Sequence, residues 1–349
     1  MVLNVILVSI IAIMVREYLK LARSFNAVLT GISPVMGAIA MKQYDIIILL
    51  ILFLIGFLGH TFGFVFNDII DFKIDKTSKE ISDRPLISGT ISLKKAWIFA
   101  ILCILLAFTI AWYLAFITSI YYPLIILAIS AFSIFLYDLI SKKLPFMDIF
   151  VALGIFFFIL YGASTQADNF SGITLLAWIV CVLGSIQVLF MQIVAGGLKD
   201  IENDYKSGAK TAAVTLGVRV TNKRLHTSLS FQALAFGIQI FDIVLVFTPF
   251  FIIDRFLESI YLAMFQWLTL GVISGMMLFF SYKLMNMKTF DRKKARTYIG
   301  SHYMINFALV PIMLMTLNLW AGILVFFPAL GFLLSNIILH GTLMQPKTM

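Results

Sequence analysis

Nine stretches of about twenty apolar residues follow one another along this chain, each long enough as a helix to cross a hydrocarbon layer of about 30 Å. They lie near residues 26–42, 46–66, 95–114, 118–137, 148–165, 174–196, 226–250, 259–282 and 299–318, and a further apolar stretch at 320–340 is a candidate tenth. The runs are continuous and rich in Leu, Ile, Phe and Ala, whereas a spanning β-barrel shows short alternating strands. With 61% hydrophobic and 12% charged residues and a mean hydropathy of +1.02, a soluble domain is excluded. The chain reads as an all-α polytopic membrane protein, one transmembrane domain over 1–349.

Residues 2 to 14 are apolar but short for a crossing, and they run into Arg16-Glu17-Tyr18 without a small-residue cleavage site. A cleaved signal peptide is not expected. Cys103 and Cys181 fall inside apolar runs with no metal-ligand spacing, so they read as small core residues.

Successive spans alternate in direction, so the loops can be assigned to two sides. One side collects 23 of the 26 basic residues, and the other holds only Lys42 and Arg255, with Lys347 near the C-terminus. The positive-inside rule assigns the rich side to the cytoplasm. This distribution also answers the net charge of +9: the basic groups orient helices and form no separate nucleic-acid surface. Both long loops, 67–95 and 197–225, lie on the basic side. Any chemistry belongs there.

Each long loop begins with acidic residues at helical spacing. Asn67, Asp71 and Asp75 stand at i, i+4 and i+8 with Asp68 beside them, and Asp200 and Asp204 repeat the i, i+4 interval. Like charges at that spacing repel, so a cation is expected against each face. Ionisable groups at the mouths of apolar helices mark a pathway or a site. All candidate ligands are oxygens, which favours Mg²⁺, or Mn²⁺, over zinc. Mg²⁺ is held by few carboxylates plus substrate phosphates, so a diphosphate is the natural third party. Basic groups near in sequence include Arg84, Lys142, Lys143 and Lys199. Lys94, Lys95 and the 288–296 cluster read as helix-end anchors, and His60 as a packed residue rather than a base.

The segments Asn67-Asp68-x-x-Asp71-x-x-x-Asp75, Asp83-Arg84-Pro85 through Ser88-Gly89, and Asp200-x-x-x-Asp204-x-x-x-Gly208 with Lys210-Thr211 and Leu216-Gly217 resemble the motifs of the UbiA-type intramembrane prenyltransferases. Tyr137-x-x-x-x-Lys142 and Arg23-Ser24-Phe25-Asn26 are similar to weaker motifs of that family, although Ser24 stands where many members carry Pro. The resemblance covers about residues 20 to 220. It implies about nine helices around a central cavity, capped by the two long loops on the cytoplasmic side. It further implies that Asn67, Asp71, Asp200 and Asp204 hold Mg²⁺ on an isoprenyl diphosphate, with Asp68 and Asp75 assisting. Arg84, Lys142 and Lys199 would contact the diphosphate and Tyr137 would lie near the reacting carbon.

The activity so implied is Mg²⁺-dependent transfer of an isoprenyl group to a lipid-soluble or aromatic acceptor, a quinone precursor or a geranylgeranylglyceryl phosphate, with release of diphosphate. Arg23, Asn26 and Asp148 could serve either acceptor. A transporter would place its charges near the bilayer midplane, whereas these aspartates stand at helix ends. Another Mg²⁺-dependent lipid transferase, the phosphatidyl-alcohol type, would carry an Asp-Gly-x-x-Ala-Arg run, which the sequence lacks.

Overall fold

The computed structural model describes residues 2–76, 82–141 and 143–342. The helices, in chain order, are α1 (Val2–Leu21), α2 (Ser24–Ala40), α3 (Ile46–Ile70), α4 (Phe72–Asp75), α5 (Leu93–Thr118), α6 (Pro123–Ile140), α7 (Asp148–Ser164), α8 (Leu175–Phe190), α9 (Gly197–Ser207) and α10 (Ala212–Thr215). A two-stranded antiparallel hairpin, β1 (Arg219–Thr221) and β2 (Arg224–His226), precedes α11 (Leu229–Phe247), α12 (Pro249–Ile252), α13 (Ile260–Met285), α14 (Arg292–Asn306), α15 (Leu309–Leu314) and α16 (Phe326–Ser335).

The helices begin where a short polar side chain can take up the free N–H groups of a first turn. Asp45 accepts from the backbone of Ile47 and Ile48 to start α3. Ser92, Thr174, Ser228 and Asp291 do the same for α5, α8, α11 and α14.

Among the described residues seven helical segments are long and apolar enough to cross a membrane: 46–70, 93–118, 123–140, 175–206, 229–252, 260–285 and 319–340. Asn26–Ala40 and Asp148–Ser164 are apolar but shorter. One expectation changes here. The run at 299–318 is not one helix: α14 begins in polar sequence at Arg292, and the chain breaks at Phe307 before the short α15. Pro311 explains the break, since it has no N–H for the Phe307 carbonyl and its ring crowds that group. The stretch at 319–340, by contrast, is long enough to span, built from a 3₁₀ segment, α16 and a closing π turn.

α3 packs against α2, α5 and α6, while α7 packs against α2, α6 and α8. The main core lies among these helices, and a second forms where α8 and α9 meet α10, α11, α13 and α14. Large apolar residues such as Leu50, Ile101, Phe116 and Leu268 face outward, as lipid contact requires.

Without a hydrophobic drive between helices in lipid, close backbone approach matters. The α2–α7 crossing uses it: a Cβ on Gly162 would sit 1.9 Å from the Pro34 carbonyl oxygen, and one on Gly37 would sit 2.1 Å from that of Ile159. Gly162→Val should therefore separate these helices and cost on the order of 3 kcal/mol or more, read as a lowered melting temperature in detergent. Gly275→Ala, with nothing within 4 Å of the added carbon, should melt like the parent. Equal melting of both variants would contradict the crossing.

Candidate active site

The last turn of α3 carries Asn67 and Asp68, Asp71 ends the helix, and α4 carries Asp75. Asn67, Asp71 and Asp75 share one face, and all three line a single cavity of about 950 Å³. Asp68 points the other way, against the expectation that it assists the metal. It is only 5% exposed and accepts from Arg23 Nη2 at 2.5 Å, with Arg84 Nη1 at 3.5 Å. Arg84 also holds Asp75 Oδ2 at 2.8 Å. Its position one residue along from Asn67 turns Asp68 off the cavity face, and the carboxylate expected to assist the metal is paired with two arginines.

Arg23 itself forms the turn between α1 and α2 with φ 46° and ψ 50°, a left-handed conformation uncommon outside glycine. Its guanidinium lies 4.9 Å from the Phe64 ring centroid. Burial works against the Arg23 charge, but Asp68, Asp75 and Asp71 outweigh it and hold the group above the ordinary arginine pKa. Burial, joined by the like charge of Arg23, draws Arg84 below that value despite Asp68 and Asp75.

The second acidic segment enters from the opposite wall. α8 passes into a π turn, Met191–Gly196, before α9, and such an insertion rotates the helix face that follows it. Asp200, Asn203 and Asp204 of α9 then line the same cavity as the first segment. Asp200 Oδ1 accepts from Arg292 Nη2 at 2.6 Å, and its Oδ2 lies 3.2 Å from Lys199 Nζ. Arg292 is set by two local devices. Asp291 caps α14, and the preceding Phe290 N–H donates to the Lys223 carbonyl at the tip of the hairpin, 2.7 Å away.

Of the residues expected from sequence, Arg23, Asn26, Asn67, Asp71, Asp75, Arg84, Tyr137, Lys199, Asp200 and Asp204 all line this one cavity. Lys142 lies outside the described residues. Four residues enter that sequence reasoning did not select. Asn203 sits between the two aspartates, and Asn203-Asp204 repeats the adjacent Asn67-Asp68 step, a signal that was readable. Asp138 accepts from Asn67 Nδ2 at 2.9 Å; it was visible only as the neighbour of Tyr137. Arg292 belongs to a basic cluster expected to be an anchor, and nothing in its spacing separates it from Lys293. His60 is packed and hydrogen-bonded as expected, and it also lines the cavity deeper in α3.

Toward the interior the wall becomes apolar, with Ile55, Ile104, Phe108, Leu127, Ile134 and Phe158. Among the described residues no three His, Cys, Asp or Glu side chains gather into a metal cage. The donors are instead carboxylate and amide oxygens on two facing walls with arginine and lysine between them. That set fits a hard divalent cation that takes its remaining ligands from a phosphate-bearing substrate.

The UbiA prenyltransferase family profile matches residues 27–292. The digeranylgeranylglyceryl phosphate synthase of Saccharolobus solfataricus is 28% identical over 253 residues, covering 68% of this chain and 86% of that protein. The apo structure of a UbiA homolog from Aeropyrum pernix superposes with a TM-score of 0.63 at 14% identity, over 86% of this chain and 98% of the other. A UbiA homolog from Archaeoglobus fulgidus, bound to GPP and Mg²⁺, superposes with a TM-score of 0.58 at 16% identity, over 86% and 99% of the two chains. Helical spans and cavity define an integral, multi-pass membrane protein of prenyl-transferase type. The chain belongs to the UbiA prenyltransferase family.

Asp68 supplies a prediction of its own. Asp68→Ala leaves Arg23 and the shared Arg84 without their buried carboxylate, and breaking such a pair costs about 3 kcal/mol or more. The variant should melt markedly lower before any substrate is added, whereas Asp68→Asn should fall between it and the parent; three equal melting curves would contradict the structural role.

Proposed function

We propose that this protein transfers an isoprenyl group from an allylic isoprenyl diphosphate, with Mg²⁺, to a hydroxyl of a prenylglyceryl phosphate such as geranylgeranylglyceryl phosphate, releasing diphosphate and forming an ether. The observation that carries the reading is the pair of acidic segments, distant in sequence, lining one cavity between basic side chains. The choice of acceptor draws on the similarity to digeranylgeranylglyceryl phosphate synthase. Transfer to an aromatic quinone precursor is the alternative outcome of the test.

In this reading Asn67, Asp71, Asp200 and Asp204 hold Mg²⁺, with Asp75 and Asn203 assisting. The cation neutralises charge on the diphosphate and makes it a better leaving group. Arg84, Lys199 and Lys142 contact the phosphate oxygens, and Arg292 joins them. Lys199 and Arg292 are tied to Asp200 in this structure, so they exchange a carboxylate partner for a phosphate when substrate enters. Charge-assisted contacts of this kind stabilise an oxyanion as it forms. Tyr137 lies by the reacting carbon, and Arg23 and Asn26 face the acceptor. The apolar wall excludes water from the allylic cation and receives the isoprenyl chain, which stays in lipid-like surroundings throughout.

We further assign the acidic mouth to the cytoplasmic side, because the loops around it hold most of the basic residues. Nine crossings follow, by α2, α3, α5, α6, α7, α8 with α9, α11, α13, and α14 with α15; the 319–340 segment makes a tenth. The loop before α5 and the α9 to β2 segment cover the mouth as a cap.

Purified protein given geranylgeranyl diphosphate, Mg²⁺ and a panel of acceptors should yield the ether lipid by mass. Prenylated aromatic product alone would overturn the acceptor. Asp71→Asn and Asp204→Asn should abolish Mg²⁺-dependent diphosphate release without lowering the melting temperature, and unchanged turnover in either would defeat the site. Lys288 is exposed, so Lys288→Met should turn over normally. Arg292→Met should bind the diphosphate about tenfold or more weakly, the scale of one charged hydrogen bond. Equal behaviour of those two variants would return Arg292 to the role of an anchor.

A further inference from the structure

Prenyl transfer to a hydroxyl liberates a proton, and it does so inside a cavity that must keep water out. Near the mouth Asp75 is paired with Arg84 and Asp200 with Arg292 and Lys199, while Asp138 accepts from Asn67 at Oδ1 and has a buried, unpartnered Oδ2. His60 stands elsewhere, seven residues before Asn67 on α3 and therefore about 10 Å deeper along the helix. It is 5% exposed and lines the cavity.

One edge of the ring is fixed. Nδ1 lies 2.8 Å from Thr30 Oγ1 of α2, and the ring packs against Phe64 with centroids 4.3 Å apart. Nε2 is buried without a hydrogen-bond partner. Gly59 and Gly63, on either side of His60 in the sequence, also line the cavity. Asn26 Oδ1, on the α2 face that carries Thr30, is likewise buried without a partner and belongs to the same wall. Two unpartnered polar atoms in one buried corner call for a polar ligand group.

We propose that His60 Nε2 is the general base that takes the proton from the acceptor's hydroxyl, and that Asn26 helps to seat that hydroxyl. The proposal rests on the prenyl-transfer reading above and adds a residue to it. With Nδ1–H donated to Thr30, Nε2 presents its lone pair to the cavity. The C1–O bond to the diphosphate breaks, and its electron pair leaves with the phosphate oxygen. A lone pair of the acceptor oxygen forms the new C–O bond, and the O–H proton passes to Nε2. The imidazolium then gives its proton to water once the ether product has left and the cavity reopens. Thr30 is a positioning residue in this scheme, since it acts through the imidazole.

The test uses full-length protein in detergent or nanodiscs with Mg²⁺, geranylgeranyl diphosphate and the acceptor that the panel identifies. His60→Ala and His60→Gln should lower kcat for ether formation by about 100-fold or more, the usual contribution of a positioned base. Binding of geranylgeranyl diphosphate with Mg²⁺ should stay within about twofold of the parent in both variants, since His60 lies off the diphosphate end; this is followed by calorimetry. Free imidazole should restore turnover to His60→Ala, and Thr30→Val should lose about tenfold through misorientation of the ring. Ether formation within about threefold of the parent in both His60 variants would overturn the proposal. So would a loss explained wholly by weaker diphosphate binding, or a full loss in Asp148→Asn with none at His60. Parent protein that binds no diphosphate and releases none with any acceptor would instead sink the underlying reading.

Discussion

A carboxylate at the end of an apolar helix must have a cation against it, and the architecture around this cavity is a set of answers to that demand. Asp68 receives Arg23 and Arg84, Asp75 receives Arg84, and Asp200 receives Arg292 and Lys199. Two of these pairs join elements far apart in the sequence. Arg23 couples the start of α2 to the end of α3, Arg84 ties the loop after α4 to the same acidic face, and Arg292 brings α14 onto α9. In surroundings of low dielectric, one member of such a pair without the other is costly. These segments are therefore held together by charges that also line the cavity.

That arrangement explains how one cavity can be both ionic and apolar. Its mouth is crowded with paired charges from several elements. Its interior is walled by aliphatic and aromatic side chains from α3, α5, α6 and α7. An amphiphile with a diphosphate head and an isoprenoid tail matches the gradient along its length. The close α2–α7 crossing through Gly37 and Gly162 sets one side of this frame, and the π turn before α9 orients the other.

Much of this was legible in the sequence. Hydropathy gave the polytopic helical class because a bilayer leaves few alternatives for the backbone. The i, i+4 spacing of Asn67, Asp71 and Asp75 foretold a shared face, and the matching interval at Asp200 and Asp204 foretold a second. What was missed depends on contacts between elements. Asp68 cannot be told from a ligand without Arg23, which reaches it across 45 residues. Arg292 is distinguished from Lys293 only by a hairpin whose tip fixes the loop before α14. The break at Phe307 was signalled by Pro311, but an apolar run on both sides concealed it. His60 is packed, as expected, but that it also borders a cavity is not a sequence property.

The central claim is that neither acidic wall is a metal site by itself, and that a divalent cation is held jointly by both walls and a diphosphate. Electron paramagnetic resonance of Mn²⁺ titrated into the purified protein tests this most directly. The account predicts weak Mn²⁺ binding alone, then stoichiometric binding with resolved ³¹P coupling once an isoprenyl diphosphate is added. Tight stoichiometric Mn²⁺ binding without diphosphate, or bound Mn²⁺ lacking ³¹P coupling in its presence, would contradict it.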